Sequence, residues 1–92
     1  MRDKLLIEHG PCKLYATESG YLLRDADDGF GFRWDFDFAT AQDMVPQVFR
    51  PPHQVSAMLC LELLAFPRER WEQWADEVRK LDAEAFRVGR VQ

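Results

Sequence analysis

Phe30-Gly31-Phe32-Arg33-Trp34-Asp35-Phe36-Asp37-Phe38 carries a ring at every second position, with a glycine or a charge between rings. A helix would scatter these rings around its circumference. A strand lines Phe30, Phe32, Trp34, Phe36 and Phe38 along one face and sends Gly31, Arg33, Asp35 and Asp37 to the other. Such a row has to be covered, and the rest of the chain reads as its cover.

Working back toward the N-terminus, Lys4 to His9 reads as a first strand and Gly10-Pro11 as a turn. Cys12 to Glu18 reads as a second strand, in which Leu14 and Ala16 alternate with Lys13, Tyr15 and Thr17. Ser19-Gly20 breaks it, Tyr21 to Asp25 forms a third, and Asp27-Asp28-Gly29 turns the chain into the aromatic strand. Four strands joined by short turns make an antiparallel meander.

Working forward, the composition shifts after Phe38 to Ala, Met, Leu, Glu and Gln, which favours helix. Thr40-Ala41-Gln42-Asp43 resembles a capped start, and Pro46 limits this piece to one or two turns between residues 40 and 50. Arg50-Pro51-Pro52 forces an extended connection into a second helix over His53 to Ala65, apolar nearly all round, with a central strand as its alternative. Pro67 opens a third, over 68–86, with Trp71, Trp74, Ala75, Val78, Leu81, Ala85 and Phe86 as one stripe and Gly89 as its stop. The expected fold is therefore α+β: a four-stranded antiparallel meander from the N-terminal half, packed on one face by two C-terminal helices, plus a short connecting helix. At 92 residues the chain is expected to form a single domain over 1–92. It shows no stretch of about 20 apolar residues and no signal-like N-terminus, so a cytoplasmic location away from the membrane is expected.

The charge is unevenly spread. The formal net charge is −4, and residues 18–43 hold seven carboxylates against two arginines, while residues 67–92 hold six of each sign. This balance argues against direct nucleic-acid binding, as do the one Arg and two Asp between the rings, which would repel phosphate. Asp25, Asp27, Asp28, Arg33, Asp35 and Asp37 are the candidate partner-binding residues, forming an acidic patch continuous between the turn and the open sheet face.

Catalytic readings fare less well. His9, Cys12, His53 and Cys60 have the ligand count of a structural zinc site, but residues 53 and 60 lie about 10 Å apart along a helix, so no metal and no cofactor are expected. Neither cysteine, nor Ser19 or Ser56, sits in a nucleophile elbow, and Cys60 lies in the most apolar stretch. The carboxylates are expected to be solvated and unperturbed. The glycines at 10, 20, 29, 31 and 89 match no phosphate-binding loop.

These readings lead to the expectation of a non-catalytic, small, acidic protein–protein interaction module, a monomer or homodimer, that occupies a basic or nucleic-acid-binding surface of a protein partner. Anti-CRISPR and other anti-defence inhibitors of phages and mobile elements, and immunity proteins, are analogous in size and charge. The competing class is a small enzyme or an enzyme accessory subunit, with or without a metal.

Overall fold

A computed structural model describes residues 3–35 and 37–81. Strands β1 (Lys4–His9), β2 (Cys12–Ala16), β3 (Tyr21–Asp25) and β4 (Gly31–Trp34) form one antiparallel sheet in sequence order. Helices α1 (Phe38–Val48), α2 (Pro51–Leu61) and α3 (Trp71–Arg79) follow, with 3-10 turns at Glu62–Ala65 and Arg68–Arg70. The fold is α+β, as the sequence implies.

The hairpin register decides which residues meet the helices. Gly10 has φ 57°, the left-handed value a two-residue turn requires before Pro11, whose ring holds φ negative. It brings His9 opposite Cys12, and Cys12 in turn faces Asp25. Gly20 serves closeness instead: a Cβ there would stand 2.0 Å from the Trp34 carbonyl oxygen, so only glycine lets the β2–β3 turn approach the end of β4. A bulge between Leu5 and Ile7 takes up Leu6, and beyond it Ile7 points inward opposite Leu14.

Alternation then sorts the side chains into rows on the inner face. The middle row is Ile7, Leu14, Leu23 and Phe32, and the next is Ala16, Tyr21 and Trp34. Phe32 and Trp34 pack tilted by 41° at 5.1 Å between ring centroids, and Phe49 meets Phe32 edge-on at 6.2 Å. Helix α2 lies against β1, β2 and β3, with α1 beside it toward β4 and α3 toward β1.

The aromatic stretch is strand for only part of its length. Phe32 and Trp34 are buried, Phe30 precedes β4 and is 55% exposed, and Phe38 already belongs to α1. Phe36 lies outside the described residues. The row ends early because Asp37 takes the N-cap position of α1, where its Oδ1 accepts the Thr40 hydroxyl at 2.7 Å. The expected connecting helix of one or two turns is thus an 11-residue helix that starts before Thr40 and runs through Pro46, giving up the bond that residue 46 would otherwise donate to the Gln42 carbonyl and ending two residues later at Val48. Its C-terminal end is tied to α2, since Gln54 Nε2 donates to the Phe49 carbonyl at 2.9 Å.

Residues 53–61 are helix rather than central strand, and the α-helix gives way to a 3-10 turn at Glu62. Both tryptophans of the last helix pack inward while their indole N–H groups donate to backbone carbonyls, Trp71 to Phe66 and Trp74 to Leu59, each at 3.0 Å. The stripe holds through Val78, but α3 ends at Arg79 and Leu81, expected to continue the stripe, is 42% exposed; Ala85, Phe86 and Gly89 lie outside the described residues. No helix among the described residues is long and apolar enough to cross a membrane.

Candidate functional site

The third row of the inner face is polar: His9, Cys12 and Asp25, side by side on three strands. Above it α2 presents His53, Ser56 and Cys60, which share one helix face by their spacing of three and four. All six are sealed, at 0–4% exposure. Burial of polar groups on this scale is tolerated only when they bond to one another, and they do. His9 Nδ1 and Ser56 Oγ lie 2.8 Å apart, and His53 Nδ1 is hydrogen-bonded to Asp25 Oδ2. The Cys12 thiol donates to the His53 carbonyl and the Cys60 thiol to the Cys12 carbonyl.

The other oxygen of Asp25 organises the β3–β4 turn. Its Oδ1 accepts the backbone N–H groups of Asp27 at 2.9 Å and Asp28 at 3.2 Å, a side-chain turn that mimics a backbone one. Ala26 N–H donates to the Pro11 carbonyl at 2.8 Å, fastening this turn to the first. At the rim, Arg50, the N-cap residue of α2, places Nε 2.8 Å from Asp28 Oδ2, which is itself 3.8 Å from His53 Nδ1. Asp28 is 18% and Arg50 55% exposed at the side chain, so the cluster reaches solvent at this corner.

The arrangement does not assemble a nucleophile. A serine triad needs one imidazole between hydroxyl and carboxylate, whereas here Ser56 meets His9 and Asp25 meets His53. The thiols are kept protonated: desolvation, aided by the charge of Asp25, pushes Cys12 up to about 12, and desolvation raises Cys60 as well. The four residues with a zinc-like count lie together, but both sulfurs are turned to backbone carbonyls and each imidazole has another partner.

The six residues singled out from sequence are dispersed. Asp25 is fully buried, so it does not belong to a surface patch, and its carboxylate is not the solvated one expected from a turn. Asp28 is turned toward Arg50 and His53, leaving Asp27 exposed in that turn. Asp35 and Asp37 are exposed at the opposite end of β4, with the Asp37 carboxyl held below its usual range by the Thr40 hydroxyl. Arg33 projects from the outer face and pairs with Asp3 at 3.3 Å. That face also carries Arg24 and the Lys13–Glu8 pair around Tyr15 and Leu22, so it is not acidic and does not join the two groups of aspartates. Carboxylates gather elsewhere, around a concavity of about 560 Å3 lined by Asp3, Thr17, Glu18, Ser19, Arg33, Trp34 and Asp35.

His53, Ser56 and Arg50 were not legible as partners of these groups, although one signal was present. Asp25 stands two residues after Leu23 and His9 two after Ile7, so strand alternation alone assigns both to the buried face. The fold and this corner together define an α+β sheet-and-helix protein with a buried Asp–His pair at one end of its sheet. Comparison with protein-family models, with curated proteins and with solved structures finds no match to this chain.

Proposed function

We propose that this protein is a non-catalytic binding module whose acidic sheet end engages a basic surface on a protein partner. The observation that carries the reading is the concavity at that end, where, among the described residues lining it, Asp3, Glu18 and Asp35 stand against Arg33. Asp37, two residues beyond Asp35, is exposed as well. Such a surface raises the association rate with a positively charged partner and discriminates against acidic ones. A partner that ordinarily holds nucleic acid offers a surface of this kind, which keeps inhibition by occupancy as the functional form of the proposal. Burial of His9, Cys12, Ser56 and Cys60 under α2 supports binding over catalysis, because these groups offer no exposed face to a substrate.

The test uses the immobilised protein against lysate of its host, with bound proteins eluted by salt and identified by mass spectrometry. Basic proteins should be retained, should elute as the Debye length falls from about 10 Å toward 3 Å, and should be competed by nucleic acid. The triple reversal E18K/D35K/D37K should lose them, and the double reversal D76K/E77K on α3, as control, should not. Equal retention by wild type, triple variant and control would remove the acidic end from the function.

A further inference from the structure

We propose that Asp25, Asp28 and His53 form a binding site for a first-row divalent transition-metal ion, which takes the place of the Arg50 guanidinium and ties the β3–β4 turn to the start of α2. Asp25 Oδ2, Asp28 Oδ2 and His53 Nδ1 all lie within 4.8 Å of one another. An ion with metal–ligand bonds of 2.0–2.1 Å in tetrahedral geometry separates its ligands by about 3.3 Å, so the 3.8 Å between Nδ1 and Asp28 Oδ2 needs a small adjustment, while Asp25 Oδ2 and His53 Nδ1, hydrogen-bonded to each other, must move apart to admit the ion.

A second observation singles out the same point. Asp28 Oδ2 is shielded from solvent yet accepts no hydrogen bond of sound geometry; it is left to the ionic contact with Arg50 and to His53 Nδ1 beyond it. An oxygen with spare lone pairs, aimed between a carboxylate and an imidazole, is a ligand-ready group. Asp25 is divided in the same sense, because Oδ1 is spent on the Asp27 and Asp28 amides while Oδ2 faces only inward. These amide bonds hold the carboxylate still, as an outer shell does for a metal ligand.

The charges favour exchange. Two carboxylates are balanced by one divalent ion, and Arg50, 55% exposed at its side chain, can turn to solvent. Ligation uses the lone pair of an Nδ1 that carries no proton, with the ring proton on Nε2, so the ion displaces the Asp25–His53 hydrogen bond together with the Arg50 guanidinium. Two carboxylates and one imidazole suit Zn2+, Mn2+ or Fe2+ and not Cu+, and three protein ligands leave positions for water. The site opens to solvent through Asp28, unlike the sealed set His9, Cys12 and Cys60. It shares His53 with the four residues His9, Cys12, His53 and Cys60 that have a zinc-like count, uses neither cysteine, and departs from the expectation of a metal-free chain.

The experiment strips the full-length protein with chelator and titrates it with Zn2+ and, separately, Mn2+ by calorimetry, following Tm in parallel. One ion per chain with a rise in Tm is expected. Asp28→Asn should weaken binding about tenfold or more while the metal-free protein melts near the wild-type temperature. Arg50→Gln should tighten binding about three- to tenfold, because it removes the competing cation, an outcome that a merely structural ion pair does not produce. Cys60→Ala should leave the affinity unchanged. Absence of binding at tenfold excess of either ion overturns the proposal. So does binding that Asp28→Asn and Arg50→Gln leave unaltered, or that Cys60→Ala abolishes.

Discussion

The two ends of the sheet's inner face solve burial differently. Toward the β2–β3 turn the rows are apolar, with Leu14, Leu23, Phe32 and Trp34 packed by contact area and ring geometry. Toward the β1–β2 and β3–β4 turns the row is His9, Cys12 and Asp25, held to α2 by hydrogen bonds. Apolar contact is non-directional and tolerates small displacements, whereas a buried hydrogen bond weakens steeply with angle and leaves a costly orphan when broken. The apolar end supplies area. The polar end restricts how α2 can sit, because a slide of one residue would part Ser56 from His9 and His53 from Asp25 together.

Truncation at either end is the largest expected effect. Trp34→Ala should cost about 3–5 kcal/mol through lost transfer energy and a cavity. Asp25→Ala should cost a similar ~3–5 kcal/mol by leaving His53 without its buried partner and freeing the amides of Asp27 and Asp28. Chemical denaturation with a common m-value measures both. An Asp25→Ala protein as stable as wild type would erase the distinction between the ends.

Shape-conserving replacements sharpen the comparison at a smaller scale. Leu14→Met keeps volume and should cost less than about 1.5 kcal/mol. Asp25→Asn also keeps shape, and its carbonyl can still accept the turn amides, but the charge facing His53 is gone, so about 1.5–3 kcal/mol should be lost. If the two substitutions prove equal, geometry rather than charge holds the polar end.

The mildest probe is alkaline pH. Cys12 has its folded value raised from 9.0 to about 12, so its contribution to stability is complete below 9.0 and is lost as pH rises toward 12. Stability should fall by about 1.4 kcal/mol per pH unit for this thiol once the unfolded chain ionises. Thermal melts at pH 8, 9 and 10 read the slope, and Cys12→Ser should reduce it, with the remainder assigned to Cys60, whose thiol burial also raises.

Local pattern carried the strands, because side-chain alternation and turn chemistry act over two to five residues. Lys4 to His9, Tyr21 to Asp25 and the Asp27-Asp28-Gly29 turn could be read in order along the chain. The same reasoning over-extended β4, because alternation of rings continues past Trp34 while the N-cap at Asp37 ends the strand in favour of α1. It also treated a run of acidic residues as one surface. Side chains adjacent in sequence point to opposite faces of a sheet, and Asp25, Asp28, Arg33 and Asp35 ended respectively in the core, against Arg50, beside Asp3 and at the rim of a concavity.

By itself, then, the sequence determined the α+β class and the meander, since each depends on neighbours close along the chain, whereas Asp25 was expected at the surface although it shares the parity of buried Leu23. Only the tertiary structure decided that Asp25 meets His53, that His9 meets Ser56, and that Arg50 stands guard over Asp28. Those pairs are separated by 28, 47 and 22 residues, and no periodicity reaches across such distances; they follow from where α2 settles on the sheet, which packing of the whole chain fixes.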